Sequence, residues 1–223
     1  MKMKKLRKAV ILLAAMLMAT VLGGCGSFDA SGYIKALLDN SYKNDSAAFV
    51  EQKIGTKEEA SELYELGIEN ALKSLTSGVQ ISEELQQEYE TVVRDIYKNV
   101  KYTVGEATKK DDGSYEVEVK YQKMKVFTGA MEKYEAASDA YIQEMTEKVS
   151  SGEESPSEEE ALEKSFSMLK DAIQESLGNV EYEDEQSATV RVELKNKVYT
   201  PNEDDVFKLE QMMFDIEAVT EAQ

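Results

Sequence analysis

Residues 101–121 read KYTVGEATKKDDGSYEVEVKY. Tyr102 and Val104 alternate with polar neighbours, Asp112-Gly113 supplies a turn, and Tyr115, Val117, Val119 and Tyr121 take up the alternation again. Period two on both sides of an Asp-Gly pair predicts a β-hairpin with one apolar face. A lone hairpin is marginal in water. The flanking sequence must therefore supply what covers that face, and it decides the fold class.

Upstream, the period changes to that of helices. One opens at Asp29 and carries Tyr33, Ile34, Leu37 and Leu38 on one side. A second is announced by Thr56 and Glu59 as a capping box, holds Leu63, Gly67, Ile68, Ala71, Leu72 and Leu75, and ends near Gly78. A third begins at Ser82 with Leu85, Tyr89, Val92, Val93, Ile96 and Val100.

Downstream of the hairpin a fourth helix places Met131, Tyr134, Ser138, Tyr141, Ile142, Met145 and Val149 on one stripe. Ser155-Pro156-Ser157-Glu158 closes an acidic loop and starts a fifth, with Ser155 as N-cap, Pro156 at the first helical position and Glu158 as the capping glutamate; it is lined by Leu162, Phe166, Leu169, Ile173 and Leu177 and stopped at Gly178. Alternation returns at Val180 and Tyr182 and then at Val190, Val192 and Leu194, a second hairpin. Thr200-Pro201-Asn202-Glu203 then caps a last helix with Val206, Leu209, Met213 and Ile216.

The expected fold is α+β, with helices packed on an antiparallel sheet built from two hairpins. The order helix-hairpin-helix occurs twice: Asn99-Val100-Lys101-Tyr102 and Asn179-Val180-Glu181-Tyr182 lead in, and Val126-Phe127-Thr128 and Val198-Tyr199-Thr200 lead out. Internal duplication and convergence both account for a likeness of such low identity.

The N-terminus is of another kind. Lys2, Lys4, Lys5, Arg7 and Lys8 precede Ala9 to Leu22, a run that is apolar apart from Thr20. That is the n-region and h-region of an export signal, shorter than the roughly 20 residues of a membrane-spanning helix. Leu22-Gly23-Gly24-Cys25 follows. It resembles the lipobox of bacterial lipoproteins, an aliphatic residue and two small ones before a cysteine. The resemblance implies cleavage between Gly24 and Cys25 and attachment of diacylglycerol to the Cys25 sulfur. Two acyl chains hold a protein stably where one does not. The expected organisation is a signal peptide over 1–24, a lipidated N-terminus and short linker over 25–28, and a single domain over 29–223.

Loss of residues 1–24 removes five of the 26 basic residues and none of the 44 acidic ones, which leaves 21 against 44 and a net charge of −23. No basic patch is present to hold nucleic acid, and an anionic bilayer repels such a chain. The membrane link then rests on lipid alone. The sole cysteine is the lipid site, so no disulfide forms within the chain.

The chain has no histidine, the usual general base and commonest metal ligand. Ser167-Met168-Leu169-Lys170 fits the S-x-x-K pattern of penicillin-recognising enzymes, but no S-x-N or K-T-G element follows. Glu153, Glu154, Glu158, Glu159 and Glu160 read as a solvated loop and helix start, where negative charge suits the helix dipole. Oxygen ligands for calcium are plentiful at Asp111-Asp112-Gly113 and from Glu181 to Glu185, without EF-hand spacing. Accordingly, no catalytic residue, metal ligand or cofactor is assigned.

With "YIKALLDNSYKND" after the lipobox and "DDGSYEVEV" later, the chain is similar to uncharacterised lipoproteins of Gram-positive, Clostridia-type bacteria. That similarity implies the outer face of the cytoplasmic membrane. The function expected is a non-catalytic surface lipoprotein that binds an envelope component or extracellular ligand. The alternative is an envelope hydrolase using carboxylates or a bound cation. A solute receptor with two α/β lobes is disfavoured by length and by the absence of βαβ alternation.

Overall fold

The computed structural model describes Val21–Leu22 and residues 28–218. Within them the chain order is β1 (Val21–Leu22), α1 (Ala30–Lys43), α2 (Ala47–Glu51), α3 (Lys57–Leu75), α4 (Glu83–Lys98), β2 (Lys101–Lys109) and β3 (Tyr115–Gln122). The remainder is α5 (Val126–Ser150), α6 (Glu158–Leu177), β4 (Gln186–Lys195), β5 (Val198–Pro201) and α7 (Glu203–Met213). The fold is α+β: the strands form one antiparallel sheet in the order β1-β5-β4-β3-β2.

The hairpin that opened the reading is β2 and β3. Register pairs Tyr102 with Tyr121, Val104 with Val119 and Ala107 with Val117. Across β3, Val117 faces Val190 and Tyr115 faces Val192, so the apolar positions of both hairpins share one side. That side is buried under α1, which packs on β2 and β3, and α7, which packs on β4. Glu118, Lys120, Thr189 and Arg191 on the other side stay exposed, the pattern of an antiparallel sheet with one solvated face.

A β-bulge between Val104 and Ala107 interrupts the β2–β3 ladder. The Gly105 carbonyl there accepts from Ser31 Oγ at 2.8 Å, which pins α1 across β2. The turn between the strands needs Gly113 at φ +84°, and a Cβ added there would lie 3.3 Å from Leu194 Cδ2. Gly113→Ala is therefore expected to cost about 1 kcal/mol, read as a lowered urea midpoint with unchanged slope.

Three helix starts follow the expected caps: Asp29 accepts from Gly32 N, Thr56 and Glu59 form the complete capping box, and Ser82 accepts from Leu85 N. The start of the fifth expected helix, α6, is shifted: Ser157 and not Ser155 is the cap, its box is closed by Glu160 and not Glu158, and Pro156 precedes the helix, because two Ser-x-x-Glu pairs overlap there and the second one wins. Beneath them one core includes Tyr33, Leu37, Phe49, Ile68, Tyr89, Val93, Val117, Val119, Met124, Ile173, Leu209 and Met213, all nearly sealed from solvent. Each such aliphatic or aromatic side chain contributes about 1.5–3 kcal/mol by leaving water.

The second hairpin lies one strand further along than the alternation suggested. Val180 and Tyr182 are not one of its strands: Tyr182 makes a single bridge to Met124, and the pair is β4 with β5. Asn196 and Lys197 both take positive φ, 53° and 66°, which gives the tight turn its primed geometry without a glycine. The last helix is capped by Asn202, which accepts from Asp205 N, while Pro201 ends β5. The two lead-out segments also differ, since Val126–Thr128 begins a helix and Val198–Thr200 lies in a strand.

Helices α5 and α6 do not cover the sheet. They pack along each other as an antiparallel arm, about 37 Å and 30 Å long at 1.5 Å per residue. At its base Asp215 accepts from Phe127 N at 3.0 Å and Thr128 N at 2.6 Å, which caps α5 from 88 residues away. Ser176 Oγ donates to the Val126 carbonyl, and Met124 N to the Met213 carbonyl. Alongside, α4 packs on α6: Tyr89 Oη donates to the Phe166 carbonyl at 2.8 Å, and Lys170 pairs with Glu88 at 2.9 Å.

Candidate functional site

Of the four lipobox positions, Gly23, Gly24 and Cys25 lie outside the described residues. Leu22 is in β1, whose backbone pairs Val21 with Tyr199 and Leu22 with Val198. Phe28, assigned above to the linker, is packed: its ring stacks on Tyr199 at 3.9 Å and 7°, and lies 5.4 Å from Tyr33 and 5.6 Å from Tyr115. Tyr33 is fully buried, and burial pushes its phenol well above its ordinary range. An aromatic cluster thus fixes the chain three residues after Cys25.

A cluster of charges lies on α1. Asp39 is buried and accepts from Lys35, from Lys43 at 2.7 Å and from Tyr102 Oη at 2.6 Å. Burial works to raise the Asp39 carboxyl, but hydrogen bonds from Lys35, Lys43 and Tyr102 outweigh it and hold the group below its ordinary value. Tyr102 is pushed up, by burial first and then by the Asp39 carboxylate, and Lys43 Nζ sits 4.4 Å from its ring centre. A carboxylate satisfied from three sides braces α1 against β2; it is a poor proton acceptor. Lysines four residues either side of an aspartate were the signal that could have found it.

The residues weighed for chemistry take structural places. Lys170 is largely buried and paired with Asp171 at 2.6 Å as well as Glu88. Burial opposes its charge, yet the two carboxylates hold the ammonium above its ordinary value. An amine that must activate Ser167 needs the opposite shift. Glu160 accepts from Ser157 N and Oγ, both 2.8 Å, and Glu158 and Glu159 fill the same first helical turn. Asp112 accepts from Ser114 N at 3.0 Å and closes the β2–β3 turn. Around Glu181–Glu185, Glu183 accepts from Gln186 and Glu185 faces Lys120 at 3.7 Å. Among the described residues no three acidic or thiol groups are placed to hold a metal ion, and no helix is long and apolar enough to cross a membrane.

One acidic residue escaped the reading. Glu210 on α7 is buried, with Oε2 lacking a hydrogen-bond partner. Burial pushes its carboxyl well above the ordinary value of 4.5. The buried phenols of Tyr42 and Tyr97 stand close enough to feel its charge, and Tyr97 Oη also lacks a partner. The signal was its position: between Leu209 and Met213, on the stripe that packs inward.

A shallow groove of about 340 Å³ opens where β3 meets α7, lined in part by Tyr121, Lys123, Glu183, Lys208, Met212 and Glu217. Lys123 pairs with Glu217 at 3.2 Å, and Tyr121 Oη donates to Gln186 at 3.2 Å. Its lining alternates in charge and answers itself, a surface suited to contact and poorly suited to enclosing a small substrate.

No protein-family model matches the chain, nor does any curated protein. Among solved structures the chain is similar to one from Bacillus subtilis described as a "putative lipoprotein (ycdA)", with a TM-score of 0.57 and 16% identity over 84% of this chain. The chain spans about half of that protein, 56% of its length. At such identity the likeness is one of fold.

Proposed function

We propose that the chain is a non-catalytic lipoprotein of the outer face of the cytoplasmic membrane, held by lipid on Cys25 after loss of residues 1–24, and that it binds an envelope component or extracellular ligand. That loss takes the two-residue β1 with it and leaves β5 as the sheet edge. The observation that carries this reading is the lipobox Leu22-Gly23-Gly24-Cys25 set three residues before a packed aromatic, Phe28. Three residues reach about 10 Å at full extension, so the body of the domain would stand against the bilayer surface. The fold shared with a Bacillus subtilis chain that carries the lipoprotein name supports the reading. The structural employment of Lys170, Glu160 and Asp112 supports the non-catalytic part.

Cys25→Ser tests it. Fatty-acid labelling should disappear, and globomycin should arrest the unmutated precursor. The acidic body offers no second hold on an anionic surface, so membrane retention of the processed form should depend on the thiol. Labelling that persists in Cys25→Ser overturns the assignment.

A further inference from the structure

The arm is a three-helix packing for only part of its length. Helix α4 lies along α6 through Tyr89–Phe166 and Glu88–Lys170, and its start is tied to the arm by Ser82, whose backbone N donates to Glu163 at 3.2 Å. Beyond Ser82 the line of α4 is not continued. Toward the tip apolar side chains are left in solvent: on α5 Ile142 is 59% exposed and Val149, two turns on, 43%, and on α6 Leu162, one turn before Phe166, is 41% exposed. A two-helix pair buries only the seam between its members, so apolar residues beside that seam need a third helix.

What surrounds these residues selects the occupant. Residues 141–164 carry eight glutamates, Glu144, Glu147, Glu153, Glu154, Glu158, Glu159, Glu160 and Glu163, against two lysines, Lys148 and Lys164. A second copy of this arm, or an anionic bilayer, would bring like charge against like. An apolar stripe edged with carboxylates is complementary to a helix with leucine-type residues on one face and lysine or arginine beside them.

We infer that the distal arm is the docking surface for a basic amphipathic helix of a partner protein, seated in line with α4 and supplying the missing third helix. This rests on the binding role proposed above and gives the partner its chemistry.

The test is a titration of the full chain, in neutral detergent, with a fluorescent helical peptide of leucine and lysine, against a leucine and glutamate peptide and a detergent blank. The basic peptide should bind and the acidic one should not. Ile142→Ser with Leu162→Ser should weaken binding at least about tenfold. These side chains are already exposed, so an unchanged melting curve shows that the variant folds. Glu154→Lys with Glu159→Lys should weaken it too, and added salt should do the same to the unmutated chain. Absence of binding, or binding by either double variant as tight as by the unmutated chain, overturns the inference. So does a dimer in sedimentation that Ile142→Ser with Leu162→Ser dissolves, which would give the surface to a second copy. Because the titration does not depend on the lipid, its failure and a failure of Cys25 labelling are separate results.

Discussion

Tyr33→Ala is expected to lower the unfolding free energy by about 3–5 kcal/mol, the range for deleting a large buried ring. Tyr33 has no exposed surface and sits where α1 meets the sheet, beside Phe28, whose ring also touches Tyr115 and Tyr199. Alanine leaves a cavity there, and the surrounding rings come from the segment before α1, from β3 and from β5, so the site cannot collapse around it cheaply. Against a total stability of about 5–15 kcal/mol for a domain, the loss is severe. Urea unfolding measures it, with Tyr33→Phe as the partner variant that keeps the ring and most of the stability. A loss under about 1 kcal/mol would mean that the cluster is not part of the cooperative core.

The second large effect is a pH dependence centred on Glu210. Burial raises its carboxyl in the folded state, so the folded protein keeps a proton that the unfolded chain has given up above about pH 4.5. The sign follows: stability through this group is fullest below that value and falls as pH rises toward the raised one. Glu210→Gln keeps the shape and cannot ionise. Its melting temperature should match that of the unmutated chain at low pH and exceed it increasingly above, at about 2–4 °C per kcal/mol for a chain of this size. Glu210→Met should stabilise further, because it also removes the unmatched Oε2. Parallel melting curves from pH 4 to 9 would sink the argument. Asp39 has the opposite sign: its carboxyl is held low by Lys35, Lys43 and Tyr102, and its contribution is lost as pH falls.

What could be read in advance was whatever local chemistry determines. The capping box at Thr56 and the alternation from Tyr115 to Tyr121 need only neighbours in sequence, and they lie where expected; the box expected at Ser155 and Glu158 forms two residues on, at Ser157 and Glu160. Misplacement of the second hairpin has a local cause as well. Lys197 takes a left-handed backbone without the glycine that would have marked the turn, while Val180 and Tyr182 mimic a strand that the acids after them do not continue. The fourth helix was found but started late, because its first turn is capped by Asp215, and periodicity carries no trace of a partner so distant. Its stripe was legible as helix. That Ile142 and Val149 would be uncovered was not, since coverage depends on where α4 begins and not on α5 itself. The lipobox positions were assigned by pattern alone, and Gly23 to Cys25 lie outside the described residues.

The cap on α5 also sets an order of events. A chain emerges from its N-terminus, whether from the ribosome or across a membrane, and the groups that fix the base of the arm, Met213 and Asp215, are among the last of the described residues to arrive. Until they do, Phe127 and Thr128 have no acceptor for their amides and β3 has no Met213 carbonyl beyond its end. Helices α1 to α4 and the first hairpin can assemble before those residues emerge, but the arm cannot be locked to them. The geometry of its tip therefore waits on Met213 and Asp215, and Asp215→Ala should leave a domain with its sheet intact and a looser limb.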